Sequence, residues 1–345
     1  MFRSRWAAPF SAAIILTAAL SGTASANDTT ASMGAGGLVL ERTDGIVMRS
    51  EDLYVSAREI RVKYRFFNRT AADISTIVAF PMPDIPGGSE SDLGVSFEDP
   101  TEPTPFTTTV DGVAAPTHVE QKALLGGVDF TAELTANGVP VHPYLDQTRA
   151  ALTALSPEVL ARLEAQGLVE DRGYTGDDGV AHPDITPLWT LKTTHYWTQV
   201  FPAGREIGID HRYTPAAGGT VDTLIGRTDL EGDAEAQAYW QGEQARYAAQ
   251  YCTDPDFIAA ARRKRVPDQV LPETWIDYVL VTGANWAEPI GDFRLVVDKG
   301  SPSALVSFCA TGVRKISPTQ FEVRHRDFVP TRDLSVLILH GDSEP

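Results

Sequence analysis

The chain has 345 residues, 43% of them hydrophobic, which is enough apolar material for a sizeable core. It carries 46 Asp and Glu against 29 Lys and Arg, a formal charge of −17. A surface that acidic repels nucleic acid and anionic lipid, so neither is expected as a partner; solubility, or attraction of cationic partners, is the use left for the charge.

The first residues read as a secretory signal. Arg3 and Arg5 give a short positive start, an apolar run follows from Ala12 to Leu20, and Ala24-Ser25-Ala26 is the small-x-small pattern of a cleavage site. The run is too short to remain as a membrane span, and no later run reaches that length. No Cys stands at the cut, which argues against a lipid-anchored form. The expectation is cleavage near Ala26-Asn27, a periplasmic location and no membrane span afterwards. Loss of the two arginines takes the formal charge to −19.

The remaining chain is long enough for two domains. Residues 27–37, small and rich in Gly, read as a flexible leading segment. Residues 38–226 read as a β-sandwich lobe with a helical insertion near 146–166, and 227–345 as a helical segment followed by a second sandwich lobe. Leu38–Leu40 and Ile46–Met48 open the strands. In Ile60-Arg61-Val62-Lys63-Tyr64-Arg65-Phe66 apolar residues alternate with basic ones, as on a strand with one wet face. Ile74–Phe80 is its return strand, ended by Pro81 and Pro83, which cannot donate to a ladder. Residues 84–105, rich in Pro, Gly, Ser and acid, read as a long loop with a short strand near Val95–Phe97. Asp111-Gly112 and Asn137-Gly138 both carry the signature of a tight hairpin turn.

The period then changes. Residues 146–166 are helical in composition, and Ser156-Pro157-Glu158 restarts a helix, with Ser as cap and Pro in the first turn. Glu170–Asp184 is an acidic, Gly-containing loop. Strands resume over Leu188–Phe201 and over Ile207–Tyr213. A second helical block spans 231–264, with a restart at Asp254-Pro255. From 274 to 339 the alternation is again that of strands, broken by turns at Gly283–Asn285, Asp298–Pro302 and Ser317-Pro318. This spacing suits an antiparallel sandwich. Cys252 ends the helical block and Cys309 follows a strand. They are the only two cysteines, and after export they would pair, closing a loop worth roughly 4 kcal/mol on the chain-entropy account.

Several segments resemble the DUF4424 family of exported bacterial proteins: Asn27-Asp28-Thr29-Thr30-Ala31-Ser32-Met33-Gly34, Ser50-Glu51-Asp52-Leu53-Tyr54-Val55, Val78-Ala79-Phe80-Pro81-Met82-Pro83-Asp84-Ile85, Thr282-Gly283-Ala284-Asn285-Trp286 and Lys315-Ile316-Ser317-Pro318-Thr319. The resemblance implies a Gram-negative periplasmic setting and an immunoglobulin-like sandwich, and supplies no catalytic residues. Residues 53–85 and 197–214 show a weaker similarity to VIT-type sandwich modules, from which the helices at 146–166 depart.

Chemical signatures are sparse. There is no Gly-x-Ser-x-Gly elbow, no His-Glu-x-x-His and no Cys-x-x-Cys. His182, His195 and His211, with Asp184 or Asp210, contain the donor types of a zinc site. Asp171, Asp177 and Asp178 lie in an oxygen-rich loop of the kind that can hold calcium, without EF-hand spacing. Trp286, in a turn, with Trp240 and Trp197, forms the candidate ligand or partner surface, because aromatics stack on sugars and anchor interfaces. The reading is a mainly β, immunoglobulin-like protein that acts as a non-enzymatic binding or envelope-accessory module. It needs no cofactor, and its partner is an envelope protein or glycan. The alternative is a carboxylate-dependent hydrolase of an envelope polymer, with Glu98 and Asp99 among its many acids.

Overall fold

The structure, a computed structural model, describes residues 27–35, 37–88, 92–93, 106–176, 179–228, 232–266 and 269–341. The signal segment, the expected strand near Val95–Phe97, the Glu98-Asp99 pair, Asp177 and Asp178 lie outside the described residues.

The alternating segment at Ile60 sets the architecture. In strand Ile60–Asn68 the side chains of Ile60, Val62, Tyr64, Phe66 and Asn68 are buried, while Lys63 and Arg65 face water. This strand is central to a sheet ordered Arg314–Lys315, Gln320–Phe328, Ile290–Asp298, Ile46–Val55, Ile60–Asn68, Glu206–Tyr213, Phe106–Val110, Val113–Ala114. A second sheet runs Val128–Asp129, His118–Leu125, Thr190–Phe201, Ile74–Pro81, Thr29–Gly34, Gly37–Glu41, with Ile85–Pro86 also beside Thr190–Phe201. A third runs Leu305–Phe308, Leu334–Leu339, Glu273–Tyr278, Gly218–Thr220, Asp92–Leu93.

All three sheets contribute to one apolar core: Met48, Tyr64 and Ile209 from the first, Val78, Phe80 and Trp197 from the second, Ile276, Tyr278 and Val336 from the third. This is a sandwich in which sheets face each other across interdigitated side chains. Ring contacts cross it, with Phe66 at 5.9 Å from Phe201 and Phe80 at 6.3 Å from Tyr278 between centroids. One pairing departs from the antiparallel expectation. Ile290–Asp298 lies parallel to Ile46–Val55, from Asp292 opposite Ser50 to Val297 opposite Val55. The parallel pair joins strands from the two ends of the chain, so the first sheet draws on both the 38–226 and the 227–345 stretches.

The leading segment is not the flexible tail its composition suggests. Thr29–Gly34 is a strand between Ile74–Pro81 and Gly37–Glu41, and Asn27, Asp28, Thr29 and Thr30 are buried. Small residues there serve close packing, and the ladder satisfies their backbone groups. The two turn signals also separate. Asp111 and Gly112 both take positive φ in a hairpin between Phe106–Val110 and Val113–Ala114. Asn137-Gly138 instead ends a short helix, α1 (Thr131–Ala136), with Gly138 at φ 71°. A positive-φ Gly suits a helix end as well as a hairpin, so the dipeptide alone could not distinguish them.

Helices α2 (Asp146–Thr153) and α3 (Pro157–Ala165) form the expected insertion; Ser156 caps α3 by accepting from the Val159 amide, and Pro157 starts it. They pack with α1 around Trp189, Leu152 and Leu163 as a satellite core. The later block divides at the expected restart into α4 (Ala234–Tyr251) and α5 (Pro255–Lys264), capped by Asp233 and Asp254. Both helices pack on Leu337 and Leu339 of the third sheet. Cys252, in left-handed conformation just after α4, is bonded to Cys309, as the two-cysteine arithmetic requires.

Candidate ligand-binding cleft

Helix α4 has apolar company only along one stripe. Tyr247 and Tyr251, four residues apart, are its buried residues. Residues one turn apart share a face, so Arg246 and Gln250 line the edge of the same stripe. Opposite stands strand Glu273–Tyr278, where the period of two sends Ile276 and Tyr278 into the core and leaves Trp275 and Asp277 on the side toward α4. The Tyr247 hydroxyl donates to Glu273 Oε1, tying helix to strand.

Between them lies a cleft of about 420 Å³, closed on its other sides by Pro83, Asp84, Ile85 and Pro86, by Ala216, and by Tyr144 at the foot of α2. That volume falls within the usual range for small-ligand sites. Four aromatic side chains line it: Tyr144, Tyr247, Tyr251 and Trp275. The Tyr144 hydroxyl donates to the Pro86 carbonyl at 2.6 Å, joining the helical insertion to the rim. Arg246 donates to Glu243 Oε2 at 2.8 Å and to Gln250 Oε1 at 3.0 Å, and its guanidinium sits 4.8 Å from the Tyr247 ring centre.

The two carboxyls of the cleft differ in exposure, Asp277 being half-buried and Asp84 exposed at the rim. Burial raises the Asp277 carboxyl above its ordinary range, against the hydroxyl of Ser335, which donates to it. Burial also raises Asp84, and Lys192 at 3.3 Å partly offsets it. The Tyr247 and Tyr251 hydroxyls are pushed up by burial and stay neutral. Behind Asp277 a small cavity of about 20 Å³, room for roughly one water, is bordered by Met82, Thr193, Tyr213 and Pro215. The Tyr213 hydroxyl is buried there without a hydrogen-bond partner among the described residues.

The tryptophans named from the sequence do not form this surface. Trp286 is 1% exposed and donates its indole N–H to the Asp28 carbonyl at 2.7 Å, and Trp197 is 3% exposed in the main core. A turn position suggested an exposed Trp286; the turn is a 3-10 segment, Val281–Asn285, folded inward over Asn27. Trp240 is half-buried on α4, against Tyr239. Asp171 uses its carboxylate to accept from the Gly173 and Asp184 amides, a turn-fixing role. His182 stacks on Tyr174 and His195 on Phe106, in different parts of the molecule. No group of three metal-ligating side chains comes together among the described residues. The sequence signal for the cleft was the Tyr247–Tyr251 spacing with the alternation of Trp275 and Asp277, but only the fold brings the two elements face to face.

His211 sits in a hydrogen-bonded chain, Nδ1 to Thr108 Oγ1 at 3.0 Å and Nε2 to Asp28 Oδ1 at 3.0 Å. The chain has the composition of a hydrolytic relay, yet all three residues are buried in the core, where no substrate reaches them.

Fold and cleft together define a mainly β sandwich protein with a helix-walled, aromatic-lined pocket. The chain belongs to the family described as "Domain of unknown function (DUF4424)", whose model matches residues 26–337. No curated protein matches it. Among solved structures, the crystal structure of a "putative nutrient binding protein" from Legionella pneumophila subsp. pneumophila str. Philadelphia 1 is similar at 14% identity and a TM-score of 0.42, over 91% of this chain and 70% of that one.

Proposed function

We propose that the protein is exported to the periplasm and acts there as a non-enzymatic binding module, taking a small polar ligand with a flat apolar face, such as a sugar of the envelope, into the α4 cleft. The observation that carries this is the pairing of four aromatic side chains with the half-buried Asp277 carboxyl on one wall-to-wall space of about 420 Å³. Rings stack on the apolar face of a sugar, and carboxyl and amide groups take its hydroxyls. Titration of the protein with the disaccharide of N-acetylglucosamine, followed by heat and by tryptophan fluorescence, tests it. Saturable binding that weakens about tenfold or more in Trp275→Ala supports the reading; neither heat nor fluorescence change at millimolar sugar counts against it.

A second reading has one specific observation in its favour. Asp84 and Asp277 both line the cleft and both have carboxyls raised by burial, a condition met by the acid of a glycosidase pair. Release of reducing ends from envelope glycan, lost in both Asp84→Asn and Asp277→Asn, would move the assignment to the hydrolase.

A further inference from the structure

Asn27 is held more completely than any surface-bound chain end requires. It is fully buried. Its backbone nitrogen donates to Thr282 Oγ1 at 2.7 Å, and that hydroxyl donates back to the Asn27 carbonyl at 2.8 Å. Its side-chain amide donates to Glu51 Oε2 at 3.0 Å, while Tyr64 donates to its Oδ1 at 2.5 Å. Gly283 is obligatory beneath it, because a Cβ there would stand 2.7 Å from Asn27 Nδ2. The next residue, Asp28, is also fully buried and meets His211.

The charges in this cluster do not balance. Two carboxyls, Glu51 and Asp28, are sealed from water, and each feels the other. Among the described residues Glu51 Oε1 and Asp28 Oδ2 have no partner in normal hydrogen-bond geometry, and besides the Asn27 amide only a weak contact from the Tyr278 hydroxyl favours the ionised Glu51. His211 can supply one positive charge at most, and Tyr64 and Tyr278, 3.0 Å apart between hydroxyls, supply none. A buried carboxylate without a counter-charge costs several kcal/mol, so burial holds Glu51 protonated up to about pH 8, and a second cation would be needed to keep both carboxyls ionised.

We propose that Asn27 is the first residue of the working protein and that its α-ammonium group is the missing cation, seated beside Thr282 as counter-ion to Glu51 and Asp28. Water adds across the Ala26–Asn27 amide, leaving a carboxylate on Ala26 and an amine on Asn27, which takes up a proton. The ammonium keeps the hydrogen bond to Thr282 and brings further N–H donors to a site with two unfilled carboxylate oxygens. Removal of the leader thereby completes the charge pairing of the core and makes the folded state more stable than in the uncut chain. The seat rests on the export part of the reading above and is independent of what the cleft binds.

The test compares protein starting at Asn27 with protein carrying Gly-Ser ahead of it, each with Glu51 and with Glu51→Gln, by urea unfolding at pH 7. The form starting at Asn27 should have the larger folding equilibrium constant, tenfold or more, and the gap should shrink in Glu51→Gln. Equal stability, or a gap unchanged by Glu51→Gln, overturns the seat. Should Glu51→Gln fail to fold, acylation of the wild-type α-amine decides: it should be protected in the native state and reactive in urea, and equal reactivity in both overturns the seat. Intact mass of the protein recovered from cells separates the two claims. A chain retaining residue 1 refutes export itself, a cut chain with another first residue refutes only the seat, and a chain beginning at Asn27 supports both.

Discussion

Trp275 occupies space that Gly218 leaves empty. The two residues are opposite each other in neighbouring strands, and a Cβ on Gly218 would stand 2.1 Å from the indole Nε1 and 2.5 Å from Cε2. A separation that short is impossible, so Gly218→Ala must turn the indole or part the strands. The ring faces the cleft, so the expected outcome is a shifted tryptophan emission and about tenfold weaker binding of a stacking ligand, with a stability loss of about 1–3 kcal/mol from overpacking. Emission spectra and urea melts check both. An unchanged spectrum would show that the ring does not rest where Gly218 allows it.

The Cys252–Cys309 bond ties the end of α4 to the chain after Leu305–Phe308 across 57 residues. Ser307 Oγ reinforces the join by donating to the Tyr251 carbonyl at 2.9 Å. Since α4 is one wall of the cleft, the double substitution Cys252→Ser with Cys309→Ser should cost stability, up to roughly 4 kcal/mol on the loop-entropy account, and should also weaken ligand binding by loosening Tyr247 and Tyr251. Thermal melts with and without reductant, set against titration of the same samples, test the link. Lost stability with unchanged affinity would separate the bond from the cleft.

Much of this architecture is legible in the residues, and the parts that are not share a cause. Periodicity exposed the strand Ile60–Asn68, and cap chemistry exposed the starts of α3 and α5, because those signals are local. The disulfide followed from a count. What stayed hidden depended on distant partners. Trp286 looks exposed in a turn until Asp28, 258 positions away in the chain, takes its N–H. The Gly-rich leader looks flexible until Ala79 and Val78 pair with it. The cleft needs α4, strand Glu273–Tyr278 and Pro83–Pro86 to meet, and no local pattern encodes that meeting.

Neither half of the chain should fold alone. Leu53 and Val55 are buried in strand Ile46–Val55, whose parallel neighbour Ile290–Asp298 comes from the other end of the sequence. A fragment of residues 27–226 would leave that strand edge unpaired and strip Tyr278, Ile290 and Phe293 from the core. Its expected behaviour is aggregation or a broad, non-cooperative thermal transition, whereas the full chain melts sharply. A cooperative melt of the fragment would show that 38–226 is a self-sufficient lobe.

The pH dependence of stability has two opposed sources. His195, stacked 4.1 Å from Phe106 and buried, has its pKa lowered by burial to about 4, and burial lowers His142 to about 4 as well. For a base whose folded pKa is depressed, the unfolded chain takes the proton first, so stability falls as pH drops from about 6.5 toward 4. Glu51 acts in the other direction. Burial raises its pKa to about 8 where Asn27 is joined to a preceding residue, so between about 4.5 and 8 the folded state holds a proton that the unfolded state has lost. Stability then falls with rising pH, by at most roughly 1.4 kcal/mol per pH unit. Above pH 6.5 the histidines no longer contribute, which leaves the window from 6.5 to 8 to the buried carboxyls, Glu51 and its neighbour Asp28, whose pKa burial also raises. Protein extended before Asn27 should lose stability across that window, and Glu51→Gln should flatten the loss. In protein starting at Asn27 the ammonium favours the ionised carboxylate, so the slope should be shallow there without any substitution. Urea midpoints at half-unit steps of pH read all three slopes, and a common slope in the two wild-type forms would mean that Glu51 does not sense the chain end.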